Sequence, residues 1–420
     1  MKTIKHCLLL MLLFTWLGQG WAQTQPVAGR ARGDTAQSLG KIRAALKSGV
    51  PVKVVCLGDS VTGVYYHTGS RRAYTDMLGI ALRKSMPTSK VEAINAGISG
   101  NTTTNGLDRL DRDVLSHKPN LVTIMFGLND MTRIAVDVYR QNLISLIRQC
   151  RAAGAEVLLA TPNNVIDTSS RPTAKLVEYC EVIRSVGDQL QVPVCDIYRH
   201  MEILRDSDAR SWRLLMSDEI HPNMDGHKLI AEQLAQTITG LPVSLSDVPP
   251  PAFSLARLRS VAASGKVIRV LAMPPWDKHI ETLLKERISA AKVEVTAWPT
   301  ANLSLTDVEK NAKDRVRAFQ PDLVVIDVPI ASLENTTDDD QFIHSFAWIM
   351  NWSLNFGPPT WDCIVVHPAV SNRANLNSTS AISQTVRQLV RAQDLPIVDR
   401  TEGNVDDPID LLRNWLDVKQ

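Results

Sequence analysis

At 420 residues the chain exceeds one ordinary domain, and 44% apolar with 21% charged residues describes folded cores rather than disorder. Its 46 basic and 44 acidic residues give a formal net charge of +2, which makes no electrostatic case for nucleic acid or an anionic membrane surface. Catalysis or ligand binding by a two-domain protein remains.

Lys2 and Lys5 precede an apolar run over residues 7–17, and the small residues Gly20 and Ala22 follow it. Charge, a short apolar stretch and small residues at this spacing predict a secretory signal over residues 1–22, cut after Ala22. A spanning helix needs about 20 apolar residues, more than this run supplies. A secreted or periplasmic protein with no transmembrane segment in its mature form is expected. Cleavage takes Cys7 away and leaves Cys56, Cys150, Cys180, Cys195 and Cys363, an odd and scattered set. Cys56 and Cys195 lie in strand-like runs, where buried thiols are common. No Cys-x-x-Cys pair or His/Cys cluster suggests a metal site.

Short runs rich in Val, Ile and Leu at 52–57, 91–94, 121–126, 156–160 and 192–197 alternate with helix-like stretches at 74–83, 104–116, 136–152, 174–190 and 226–239. Such alternation predicts an α/β domain over residues 45–240, its parallel sheet covered by helices on both faces. Functional groups are then expected on loops at the carboxyl ends of the strands. Pro249, Pro250 and Pro251 mark residues 241–254 as a linker. Beyond it, strand-like runs at 270–273, 293–295, 323–326, 363–366 and 397–398 predict a second α/β domain over residues 255–420. Lys90-Val-Glu92 recurs as Lys292-Val-Glu294, and Pro119-Asn-Leu-Val122 as Pro321-Asp-Leu-Val324, both 202 residues on. Val192-Pro-Val-Cys-Asp196 is echoed by Leu395-Pro-Ile-Val-Asp399 at an offset of 203. Three matches in one order at nearly one offset predict a diverged second copy of the first domain.

Four segments of the first domain carry chemistry. Gly58-Asp-Ser60 follows the first strand, which presents a serine hydroxyl at the sheet edge. Thr62 stands where a Gly-x-Ser-x-Gly elbow has its last glycine, which argues against the α/β-hydrolase fold. Ser99-Gly-Asn-Thr102 follows the second strand, where Gly100 lets backbone approach a ligand. Gly127-Leu-Asn-Asp130 follows the third, and the Asn129 amide can donate to developing negative charge. Ser217-Asp-Glu-Ile-His-Pro222 sets Asp218 and His221 three residues apart, so one turn can put carboxylate beside imidazole. Taken singly, each segment also reads as an ordinary turn or surface pair.

In this order, over residues 50–240, the four segments resemble the blocks of the SGNH (GDSL-type) hydrolase family. The resemblance implies a flavodoxin-like three-layer α/β/α fold and Ser60 as nucleophile with Asp218 and His221 completing a triad. It also implies an oxyanion hole of the Ser60 and Gly100 main-chain N–H groups with the Asn129 amide. Acyl transfer of this kind needs no metal or organic cofactor and falls away in acid, near the unperturbed histidine value of about 6.5.

In the second domain, alignment of 54–57 with 270–273 puts Trp276 in the place of Ser60. The offset of 202 puts Asn302 and Ala331 in the places of Gly100 and Asn129. No Asp-x-x-His occurs after residue 255, and His367 falls after the fourth strand rather than the fifth. A non-catalytic companion domain is expected. Trp276, Trp298, Trp348, Trp352 and Trp361 suit either a sugar-stacking surface or packing, with packing favoured. Tyr65, Tyr66 and His67 lie near the nucleophile without an assigned role. The expected activity is hydrolysis of a small-molecule or polysaccharide ester, an O-acylated carbohydrate above all. A lipid or thioester hydrolase and a non-enzymatic glycan-binding protein are the alternatives.

Overall fold

β1 (Pro51–Gly58) is the strand from which the first domain is built, paired in parallel with β2 (Lys90–Gly97) on one side and β3 (Leu121–Met125) on the other. β4 (Glu156–Ala160) and β5 (Val194–Cys195) extend the sheet in the order β2-β1-β3-β4-β5. This computed structural model describes residues 39–371 and 380–417; the signal expected over 1–22 lies outside them. The inner strands β1, β3 and β4 are rich in Val, Ile and Leu because both faces are covered, whereas edge strand β2 alternates exposed and half-buried residues. Helices Gly40–Ser48, Tyr74–Ser85 and Met224–Thr239 pack together as one group, and Thr103–Asp108, Val136–Ala152 and Thr173–Leu190 as another. The chain runs outward from β1 to β2, then returns past β1 to β3. That reversal opens a crevice at the carboxyl ends of these strands.

Two expected elements differ. The helix expected at 104–116 breaks into Thr103–Asp108, Leu110–Asp113 and a 3-10 turn at Leu115–His117. Arg109 sits at the break and turns inward, donating to the carbonyls of Ala96 (2.8 Å) and Gly58 (2.9 Å). The strand expected at 192–197 keeps only two residues. Pro193 has no N–H for the ladder, and Asp196 instead caps helix Ile197–Ser207 by accepting from the Arg199 N–H. Leu39 and Ile42, ahead of residue 45, are also buried in the first domain's core.

The second sheet comprises β6 (Val267–Ala272), β7 (Lys292–Ala297), β8 (Leu323–Ile326), β9 (Asp362–Val366) and β10 (Ile397–Val398), in the order β7-β6-β8-β9-β10. The two sheets share strand order and register: Val54 faces Leu121 as Val270 faces Leu323. Residues 241–254 hold no helix or strand but are not loose. Leu245 is buried in the first domain's core, and Phe253 is buried in the second's. The domains are clamped by Arg72, bidentate on Asp394 at 2.9 and 2.6 Å, and by Arg213 on Asp340 at 2.6 Å. All five described cysteines are buried free thiols. Burial pushes the Cys56 thiol up to about 11. No described helix is long and apolar enough to cross a membrane.

Candidate active site

Ser60 stands two residues beyond the end of β1, within the turn that begins at Asp59. The Asp59 carbonyl accepts from Thr62 N–H (3.2 Å) and Gly63 N–H (3.0 Å), and its carboxylate accepts from Val61 N–H (3.0 Å). This close winding needs glycine at position 58, where a Cβ would lie 2.0 Å from Thr62 Oγ1 and 2.7 Å from the Met125 carbonyl. The Ser60 side chain ends in the crevice, its Oγ 2.9 Å from His221 Nε2.

His221 comes from the loop before helix Met224–Thr239. Asp218 folds back within that loop so that Oδ1 accepts from the N–H groups of Ile220 and His221, both at 2.8 Å. Its Oδ2 lies 2.7 Å from His221 Nδ1. With the ring proton held on Nδ1 by the carboxylate, Nε2 is left to accept from the Ser60 hydroxyl. Burial opposes the imidazolium, but Asp218 outweighs it and raises the His221 pKa above 6.5. Burial likewise opposes the Asp218 carboxylate. The charge of His221 and the hydrogen bonds around Asp218 outweigh it and hold its pKa below the usual range.

Two side chains without an assigned role surround this line. The Tyr66 hydroxyl donates to Asp218 Oδ2 at 2.7 Å and lies 3.4 Å from His221 Nδ1. His67 stacks on His221, centroids 4.6 Å apart and planes within 4°. It is fully buried, and burial together with the nearby His221 and His227 pushes its pKa well down. A neutral ring therefore faces His221. No sequence pattern marked either residue, since neither belongs to a recurrent motif.

Gly100 adopts φ +75°, as its place in the second loop requires. Neither its N–H nor that of Ser60 has an acceptor among the described residues. The Asn129 amide donates to the Asn101 carbonyl at 3.0 Å and lies 3.5 Å from Asp59 Oδ2, on the Ser60 turn. Ser60, Gly100 and Asn129 thus converge on one loop cluster. Arg109 ties it together, its Nε donating to Asn101 Oδ1 at 2.8 Å. Among the described residues no group of three or more His, Cys, Asp or Glu is placed to hold a metal ion.

The second domain reaches this site. Gln393 Nε2 donates to the Tyr66 carbonyl at 2.8 Å and to Asn351 Oδ1 at 2.5 Å. Asn351 Nδ2 donates to the carbonyl of Ser217, the neighbour of Asp218, at 3.1 Å. Both amide side chains are buried. The tryptophans divide. Trp276, Trp298 and Trp361 are buried, whereas Trp348 and Trp352 are half-buried, stacked 4.9 Å apart. Trp348 also stacks on Tyr66 at 6.1 Å. In the shared register Trp276 takes the place of Ser60 and donates to Asp327 at 2.7 Å. Asn302, opposite Gly100 in the count, also has positive φ (61°), and Ala331 lies in helix Ile330–Glu334. His367 is buried with Nε2 3.1 Å from the Ser383 carbonyl.

A hydroxyl against an imidazole oriented by a carboxylate, beside clustered amide donors, is equipped for acyl transfer. The model of the GDSL-like lipase/acylhydrolase family matches residues 56–229, the stretch that carries all of these loops. The acetylxylan esterase of Geobacillus stearothermophilus is 25% identical over 218 residues, covering 46% of this chain and 96% of that protein. The thioesterase 1/protease 1/lysophospholipase L1 of Escherichia coli strain K12 is 26% identical over 189 residues, covering 45% and 84%. A crystal structure of a lipase/acylhydrolase from Enterococcus faecalis shares 31% identity over 45% of this chain and 96% of its own, with a TM-score of 0.40. Through residues 56–229 the chain belongs to the GDSL-like lipase/acylhydrolase family.

Proposed function

We propose that the chain is an exported serine esterase in which Ser60, His221 and Asp218 act as nucleophile, general base and orienting carboxylate. The observation that carries this reading is the unbroken line from Ser60 Oγ to His221 Nε2 (2.9 Å) and from His221 Nδ1 to Asp218 Oδ2 (2.7 Å). His221 takes the hydroxyl proton as Ser60 attacks the ester carbonyl. The N–H groups of Ser60 and Gly100 and the Asn129 amide hold the oxyanion. His221 then gives its proton to the leaving alcohol, and water repeats the sequence on the acyl-enzyme. Export rests on the charged, apolar and small-residue order of residues 1–22. The second domain is a diverged, non-catalytic copy; shared strand order and register support the copying, and Trp276 in place of Ser60 supports the loss of activity.

The substrate is an O-acylated carbohydrate. Half-buried Trp348 and Trp352 put partly exposed aromatic surface beside Tyr66, of a residue type that sugars pack on, and one relative is an acetylxylan esterase. Hydrolysis of a lipid or thioester is the second reading, favoured by the relative named a thioesterase and lysophospholipase. Hydrolysis of p-nitrophenyl acetate by the chain, beside Ser60→Ala and His221→Ala, tests the reading. Activity lost in both folded variants supports it, and activity unchanged in them contradicts it. A higher kcat/KM on long-chain than on acetyl esters transfers the substrate to the second reading.

A further inference from the structure

Arg133 and Arg171 flank the proposed oxyanion donors. Arg133 Nη1 donates to the carbonyl of Gly100 at 2.7 Å, and Arg171 Nη2 lies 3.5 Å from Asn129 Oδ1. Arg171 therefore touches the amide that carries one proposed donor, and Arg133 the peptide group next to the one that carries another. Arg171 is delivered there by the loop after β4. Its N–H is held by the Thr168 hydroxyl at 3.1 Å, and Thr168 and Arg171 form a small antiparallel bridge.

Three observations set this pair apart from ordinary surface arginines. Among the described residues neither forms an ion pair, and the Arg171 guanidinium also donates to the Ser170 carbonyl at 3.3 Å. Arg171 Nε is buried without a hydrogen-bond partner. The two cations also repel: burial first, and Arg133 second, lower the Arg171 pKa, with buried Asp59 acting against them. Each arginine touches a different amide, and a neutral donor would serve to orient either one. A guanidinium fork matches a carboxylate, and an anion between the two would relieve both the repulsion and the idle N–H. Arg133 also lines an open groove of about 400 Å³ with Ile134, Lys175, Glu178 and Tyr179, in which Lys175 and Glu178 carry opposite charges.

We propose that Arg133 and Arg171 form an anion subsite and that the ester taken at Ser60 is an acylated uronic acid, its carboxylate held between the two guanidinium groups. This rests on the esterase reading above and adds the charge of the substrate to it. The test compares a mono-O-acetylated methyl glucuronide with the matched methyl glucoside, which differ only in carboxylate against hydroxymethyl. The expected kcat/KM is about tenfold or more higher for the uronide at low ionic strength, a factor of ten being about 1.4 kcal/mol, and the advantage shrinks with added salt. In Arg133→Gln/Arg171→Gln the ratio of the two kcat/KM values falls toward one. Titration of Ser60→Ala protein with the uronide reads the subsite without turnover, and binding weakens in the same double substitution. Equal kcat/KM on both sugars overturns the subsite and leaves the esterase reading standing, as does a preference that survives the double substitution. A lysophospholipid preferred over both sugars puts a phosphate under the arginines and overturns the uronate. Neither sugar turned over by the parent, with no uronide bound to Ser60→Ala, overturns the subsite, and the esterase reading falls with it only if p-nitrophenyl acetate is not hydrolysed either.

Discussion

Gln393 of the second domain donates a 2.8 Å hydrogen bond to the main-chain carbonyl of Tyr66, whose hydroxyl donates to Asp218 at 2.7 Å. A residue more than 300 positions from Ser60 in sequence thereby braces the carboxylate that orients His221. Asn351 braces the same loop from Ser217. Gln393→Leu leaves buried polar groups unpaired, which should cost about 1–3 kcal/mol of stability. We expect kcat to fall about tenfold, about 1.4 kcal/mol in the barrier, with a smaller change in KM. Steady-state kinetics beside a denaturant melt checks both; unchanged kcat would show the second domain to be indifferent to catalysis.

Tyr66→Phe has a signed effect on pH dependence. The hydroxyl stabilises the Asp218 carboxylate and so weakens its pull on the imidazolium. His221 already lies above its ordinary value because Asp218 outweighs burial, so the acid limb of kcat/KM is displaced upward from that of a free imidazole. Without the hydroxyl, Asp218 attracts the imidazolium more strongly, and the limb moves to higher pH. A pH–rate profile on a neutral ester reads the shift; a downward move would contradict it.

Asn129→Ala should lower kcat by about 10²–10³, the usual effect of removing one oxyanion donor, with KM less affected. Gly100→Ala is the milder test. A Cβ there meets only Arg133 Nη1, at 3.8 Å, but φ +75° strains any side chain, by about 1–2 kcal/mol. The protein should fold and lose activity through a displaced N–H. Circular dichroism separates this outcome from Gly58→Ala, where a Cβ would lie 2.7 Å from the Met125 carbonyl and folding itself should fail.

His227 couples pH to stability. Burial, then the charge of His221, pushes its pKa down to about 3. Between there and about 6.5 the unfolded chain binds the extra proton, so this histidine makes stability rise with pH by up to about 1.4 kcal/mol per unit. His67, lowered by the same causes, acts in the same direction. Asp59, raised by burial to about 6, acts the other way. The stabilising pairing of His221 with Asp218 is present in full below about 6.5 and lost as pH rises through its raised pKa. The difference between parent and His227→Gln isolates one group. Urea unfolding from pH 4 to 7 should give the variant a shallower rise, and parallel curves would contradict this.

Sequence periodicity carried most of the sheet, because strands buried on both faces are nearly pure Val, Ile and Leu. It failed where one side chain overrides the pattern: Arg109 breaks a helix to reach two strand-end carbonyls, and Asp196 leaves β5 to cap a helix. Ser60, Gly100, Asn129, Asp218 and His221 were legible because each ends a strand or fills a short motif. Tyr66, Gln393 and Asn351 were not, since their roles arise only when residues hundreds of positions apart meet. Trp348 and Trp352 became distinguishable from the packed tryptophans only through burial, which sequence does not print.

The proposed reaction turns on Ser60 as a nucleophile activated by His221. A fluorophosphonate probe reacts with such a serine by displacement of fluoride, leaving one phosphonyl group on Oγ. Intact-mass and peptide analysis should show one adduct per chain, on the peptide containing Ser60. The adduct should be absent in Ser60→Ala and strongly slowed in His221→Ala. A serine elsewhere carrying the label, or equal labelling of the His221→Ala chain, would contradict the account.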